Sequence, residues 1–224
     1  MMFPVKDNLR RILGTLPKNV RLVAISKYHP AEYLMAAYEE GQRVFGESHE
    51  QELRLKHEAL PKDIEWHFIG HLQTNKVKYI VPYITMIQSV DSIKLLREIE
   101  KQAEKSGRVV KVLLELHIAE EATKYGLTPD ALRQLLTDGE WRRMSHVRIC
   151  GLMMMASFTD NEQQIAAEFE TARHIFDEVK QQFFADDDAF CERSWGMSDD
   201  YKVALQHSST MVRIGTAIFG PRIY

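Results

Sequence analysis

The chain has 224 residues, with a hydrophobic fraction of 45% and a charged fraction of 27%, the balance of an ordinary globular protein able to bury one large core. Its 29 Lys and Arg against 32 Asp and Glu leave a net charge of −3, which argues against a dedicated nucleic-acid binder or a binder of anionic membranes. Cys150 and Cys191 stand far apart and form no C-x-x-C pair, so neither a disulfide framework nor a structural zinc site is expected, and a reducing cytoplasmic compartment fits.

The first sixteen residues, MMFPVKDNLRRILGTL, read as an amphipathic helix without a secretory apolar core. No later stretch approaches the roughly 18 consecutive apolar residues that span a membrane. After that helix, short β-like runs recur at 21–27, 43–46, 65–70, 83–90, 109–118, 147–155, 189–194 and 211–215. Segments with apolar residues at three- and four-residue spacing separate them: 31–40, 47–60, 74–81, 91–107, 128–138, 161–184 and 198–208. Asp91-Ser92 and Thr128-Pro129-Asp130 are helix-start signals. The strands are nearly continuous in Val, Ile, Leu and Met, as suits a parallel sheet covered on both faces. Eight such units predict a (β/α)8 (TIM) barrel with an additional N-terminal helix, residues 1–224 forming a single domain; an open doubly wound sheet is the alternative.

In such barrels chemistry gathers where strands end at their C-terminal side. Lys27 ends the first run, RLVAISK. Alone it reads as a surface lysine whose stem covers apolar neighbours; at a catalytic rim it is an amine whose neutral form can attack an aldehyde. Ser194-Trp195-Gly196-Met197-Ser198-Asp199-Asp200-Tyr201 places glycine and hydroxyl residues before a short helix, either to present backbone N–H groups to an anion or to let Ser198 cap that helix. Arg213-Ile214-Gly215-Thr216 follows or ends the eighth strand. The loops after strands seven and eight frequently hold phosphate in barrels. Gly215 would allow close backbone approach, Thr216 offers a hydroxyl, and Arg213 lies deeper, where a buried ion pair is the competing reading.

Other candidates read as structural. His67 and His71 lie four apart but lack the glutamate of a zinc-protease helix. Cys150 and the run Met153-Met154-Met155 read as barrel filling.

Taken together, AISKYHP at 24–30, FGESHEQE at 45–52, WHFIGHLQTNK at 66–76, SVDS at 89–92, EEATKYG at 120–126, GLMMM at 151–155, SWGMSDDY at 194–201 and STMVRIGTAIFG at 209–220 make the chain resemble the pyridoxal-phosphate homeostasis family. These proteins are single-domain relatives of the barrel half of bacterial alanine racemase, and the match runs from about residue 5 to the C-terminus. The resemblance implies that Lys27 carries pyridoxal 5'-phosphate as a Schiff base. It further implies that Ser198 with the Met197 backbone, and Gly215 with Thr216, hold the phosphate, while Arg213 faces the pyridine nitrogen. Two positions depart from the family pattern: Ser48-His49 stands where Asn-Tyr is usual, and Trp195 follows Ser194 where methionine is usual. The implied role is reversible binding, buffering and delivery of the cofactor to apo-enzymes without turnover, by a monomer or weak homodimer. The alternatives are a cofactor-dependent amino-acid racemase, whose second acid/base group would come from a further domain or subunit that this chain is not expected to contain, and a cofactor-free barrel enzyme using Lys27 as nucleophile.

Overall fold

The computed structural model describes residues 4–118 and 125–222. All eight expected strands form: β1 (Arg21–Ile25), β2 (Val44–Glu47), β3 (Glu65–Phe68), β4 (Met86–Val90), β5 (Val110–Leu116), β6 (Val147–Met154), β7 (Glu192–Ser194) and β8 (Met211–Ile214). They pair in parallel in chain order, and β8 pairs with β1 through Arg21–Met211, Leu22–Val212, Val23–Arg213 and Ala24–Ile214. The sheet is a closed barrel, not the open doubly wound alternative.

The helices are α1 (Val5–Leu13), α2 (Ala31–Glu39), α3 (Glu50–Ala59), α4 (Val77–Ile80), α5 (Ile93–Lys105), α6 (Pro129–Asp138), α7 (Glu162–Phe183), α8 (Tyr201–Gln206) and α9 (Thr216–Phe219). Three of them begin where the sequence places a capping side chain. Ser92 accepts from the Leu95 N–H at 3.3 Å, Thr128 from Ala131 at 3.2 Å, and Asn161 from both Gln163 and Gln164.

Several boundaries differ from the sequence reading. Glu47 ends β2 and does not open a helix, because its side chain is drawn into a buried ion cluster. Residues 74–81 split into a 3₁₀ turn, Thr74–Lys76, and α4. Residues 198–200 form a turn and α8 starts only at Tyr201. The chain after β8 coils at once into α9.

Since α9 has only four residues, the ring of helices would be thin beside β8 and β1. The additional helix α1 fills that place. Its apolar stripe, Val5, Leu9 and Ile12, is buried, Asn8 and Arg11 donate to the Ile218 and Ala217 carbonyls of α9, and Lys6 and Arg10 pair with Glu39 and Glu40 at the end of α2.

Strand residues alternate between two cores, as the two-residue period requires. Outward-facing residues such as Phe45, Trp66, Phe68, Val112, Leu114, Leu152 and Val212 pack against the helices. Inward-facing Val23, Ile25, Met86, Leu113, Cys150, Met153 and Met211 fill the barrel. Of the three consecutive methionines Met153 lies in the inner core and the partly buried Met155 packs against it, while Met154 faces the outer layer.

Candidate functional site

All strands run the same way, so the segments following β7, β8 and β1 emerge on one rim, and these strands are neighbours around the ring. Positions 21, 23 and 25 of β1 face the barrel, and continuing the alternation one step past the strand puts Lys27 on the inner side of the mouth. Lys27 is half-buried. Burial lowers its amine pKa below 10.5, and the neighbouring cations Arg222 and Arg213 lower it further, against the opposing pull of Glu47 and Glu52. A surface lysine would keep its ordinary charge; this one is biased toward the nucleophilic free amine.

Arg213 sits deeper, 3% exposed. The competing reading of a direct ion pair does not hold: the guanidinium donates to the Ser194 carbonyl at 2.6 Å, the Ser194 hydroxyl at 2.7 Å and the Met154 carbonyl at 2.8 Å. The chain of bonds continues through the barrel, with Ser194 Oγ donating to Gln88 Oε1 at 2.6 Å and Gln88 Nε2 reaching His67 Nδ1 at 2.8 Å. Each direction follows from the one before, since guanidinium only donates. Burial pushes the pKa of His67 down to about 3, so the ring is neutral and Nδ1 accepts. His67 is therefore an interior prop, while His71 lies on the rim beside Asp91 at 3.4 Å and stacks on Tyr125.

The β7 loop turns at Gly196, whose φ of +98° is open to glycine and whose Cβ would stand 2.7 Å from the Ala204 side chain and 2.9 Å from Tyr201 Cα. Asp200 accepts from the Met197 N–H, and Tyr201 N–H donates to the Met197 carbonyl. Ser198 does not cap α8: the residue before that helix is Asp200, and no side chain caps it. Ser198 is instead left half-buried on the turn. The backbone N–H groups of Ser198, Asp199 and Thr216 have no acceptor among the described residues. Gly215 closes the cradle, since a Cβ there would lie 2.9 Å from the Ile25 carbonyl oxygen. The loops after β7 and β8 thus offer unpaired donors beside the end of β1, with Lys27 and Arg213 adding positive charge, and these residues fit an aldehyde with an anionic tail.

Trp195 does not enter this cradle. It is fully buried on the outer side, donating from Nε1 to the His207 carbonyl at 3.2 Å and meeting Phe176 edge-on. The other departure lies at the mouth: His49 leans on Tyr28 with ring centroids 5.2 Å apart. Most of the EEATKYG stretch lies outside the described residues.

Two features escape the motif reading. Glu115 faces inward from β5, 4% exposed, with Oε2 unpartnered; a lone acid in the apolar run VKVLLEL was the available signal. Lys56 and Glu47 are both buried beside Lys27, and on the surface-like pattern of α3 nothing marks Lys56 as interior. Burial, with Asp91 adding repulsion, raises the Glu115 pKa from 4.5 to about 7 despite Arg213. A raised carboxylate stabilises the fold fully below 4.5 and loses that contribution as pH rises toward 7, at a cost on the order of 3 kcal/mol. Glu115→Gln is expected to flatten that decline, read as the urea midpoint measured from mildly acidic to mildly alkaline pH.

A parallel barrel with a strand-one amine and an anion cradle on the last two loops defines a class, and the chain's comparisons fall in it. The family model for the alanine racemase N-terminal domain matches residues 4–222. The chain belongs to the pyridoxal phosphate homeostasis protein family. It is 38% identical to the pyridoxal phosphate homeostasis protein of Aquifex aeolicus over 206 residues, covering 91% of this chain and 88% of that one. The protein of that name from Schizosaccharomyces pombe is 34% identical over 207 residues, covering 92% and 85%. The structure of PipY of Synechococcus elongatus PCC7942 with pyridoxal phosphate bound superposes with a TM-score of 0.88 at 34% identity, over 96% of this chain and 100% of that one. Alanine racemase of Clostridium difficile shares the fold alone, with a TM-score of 0.72 at 14% identity, over 97% of this chain and 56% of that one.

Proposed function

We propose that this chain binds pyridoxal 5'-phosphate reversibly and buffers it as a cytoplasmic homeostasis protein, without amino-acid turnover of its own. The observation that carries the reading is the juxtaposition of an amine biased toward its neutral form with unpaired backbone donors on the adjoining loops, in a chain 34% identical to PipY, whose structure holds pyridoxal phosphate.

When bound, the cofactor supplies an aldehyde that condenses with a primary amine with loss of water. Lys27 provides that amine. Ser198 on the turn after Met197, and Gly215 with Thr216, hold the phosphate; the Met197 N–H is itself taken by Asp200, so Met197 shapes the turn and the donors come from the residues that follow it. Arg213 turns toward the pyridine nitrogen, its position set by Ser194 and Met154. A guanidinium can only donate, so it disfavours a proton on that nitrogen and leaves the ring a poor electron sink. That suits holding and release over carbanion chemistry. On this reading residues 1–224 form one cofactor-binding unit, a monomer or weak homodimer that hands pyridoxal phosphate to apo-enzymes.

Incubation with pyridoxal phosphate, borohydride reduction and peptide mapping are expected to place one pyridoxyl group on Lys27. An adduct elsewhere, or scattered over surface lysines, would overturn the assignment. Exchange of the α-hydrogen of alanine at enzymatic rates would overturn the absence of turnover.

A further inference from the structure

Lys56 lies on α3, yet it is only 6% exposed. Its ammonium has three N–H groups and three acceptors: the Ser26 carbonyl at 2.7 Å, Glu47 Oε1 at 2.7 Å and Glu52 Oε1 at 2.6 Å. The same Glu52 oxygen accepts from the Tyr28 backbone N–H at 2.6 Å, and Glu47 Oε1 accepts from the Ser26 hydroxyl at 2.6 Å. The residues on both sides of Lys27 are therefore tied to one buried ion cluster. Lys27 itself belongs to none of these bonds.

The segment so held is not a relaxed one. Tyr28 has φ of +65°, a region that costs a residue with a side chain on the order of 1 kcal/mol or more unless its surroundings impose it. The His29 N–H donates to the Ser26 carbonyl, closing the turn around Lys27. Glu47 is fully buried and its second oxygen has no partner, so the cluster is costly to maintain. A stability role alone would be met by apolar packing.

We infer that Lys56, acting with Glu52 and Glu47, is a positioning residue that clamps the turn from Ser26 to Tyr28 and so keeps the Lys27 amine at the barrel mouth. The inference rests on the cofactor reading for its purpose, but the clamp itself is a property of the chain without ligand. The charged groups acting on Lys27 are Arg222 from the C-terminal segment, Arg213 of β8, Glu47 of β2 and Glu52 of α3, with Lys56 behind the two acids. Released from its turn, Lys27 would swing toward water and regain its ordinary affinity for a proton.

The test is the acetylation rate of Lys27 in ligand-free protein, followed on its peptide from neutral to alkaline pH, with exposed Lys101 as the internal reference. Lys56→Met, Glu47→Gln/Lys56→Met and Glu52→Ala are the variants. Each is expected to displace the Lys27 profile to higher pH, with roughly tenfold less reaction at neutral pH for each unit of displacement, while Lys101 is unmoved; for Glu52→Ala and the double variant this runs against the lower pKa that loss of a nearby carboxylate would give by itself, so the direction separates release of the turn from direct electrostatics. Borohydride-trapped pyridoxyl-Lys27 should fall in parallel. If Lys56→Met does not fold, the double variant, which removes the uncompensated buried carboxylate, and Glu52→Ala at a partly exposed position decide the question. Folded variants whose Lys27 profile superposes on that of the unsubstituted chain, or moves to lower pH, would overturn the clamp. Failure of the unsubstituted chain to take up pyridoxal phosphate would sink the cofactor reading alone, since the acetylation profiles are measured without it.

Discussion

Lys27→Ala is expected to abolish the visible absorption that pyridoxal phosphate acquires on this protein and to weaken its retention on the order of a hundredfold. On the proposed role of Lys27 the covalent bond is lost outright, while the donors after β7 and β8 and the fixed guanidinium of Arg213 remain. Residual affinity should therefore be that of a phosphate held by backbone N–H groups, each tenfold loss corresponding to about 1.4 kcal/mol. Folding should hardly suffer. Lys27 makes no part of the ion cluster around Lys56, and its pKa is lowered chiefly by burial, so truncation removes a cost as well as a side chain. Dialysis against buffer, followed by absorbance and by the urea midpoint, separates the two effects. Retention of full colour in the variant would show that another amine carries the cofactor.

The second large effect is expected far from that amine. Gly151 lies in β6, opposite Glu192 of β7, where its φ is +153° and a Cβ would stand 1.9 Å from the Glu192 carbonyl oxygen. The register of β5 against β6 shifts between Val112 and Leu113, just where Gly151 enters the ladder, as at a β-bulge. Gly151→Ala forces a backbone against a backbone, which no rotamer relieves, and the neighbouring strand carries Ser194 and the phosphate loop. We expect a loss of about 3 kcal/mol or more and a fall in melting temperature on the order of 10 °C. Gly107→Ala is the control. Gly107 has φ of +60° with nothing within 4 Å of a Cβ, so it should register only the conformational cost, about 1 kcal/mol. Equal effects at the two sites, measured by thermal and urea unfolding, would remove the steric argument.

Much of the architecture was legible because barrel strands buried on both faces announce themselves as continuous apolar runs between amphipathic segments. Loops were less legible. The turn at 198–200 was expected to belong to a helix, and Glu47 likewise, because a polar residue after a strand gives no sign of whether its side chain goes to water or to a buried lysine. Thr216–Phe219 carried no expected element, since four residues are too few to show a helical period.

The number and order of the β–α units, the amine at the end of the first of them and the small and hydroxyl residues of the last two loops are readable from the chain, because local periodicity and residue chemistry are written along it. The folded molecule alone shows that Arg213 is held by carbonyls and Ser194 and not by an acid, that Glu115 is a buried carboxyl facing into the barrel, and that the cluster of Lys56, Glu47 and Glu52 holds both flanks of Lys27. These contacts join residues up to 59 positions apart; their energies depend on burial and direction, which exist only once the sheet has closed.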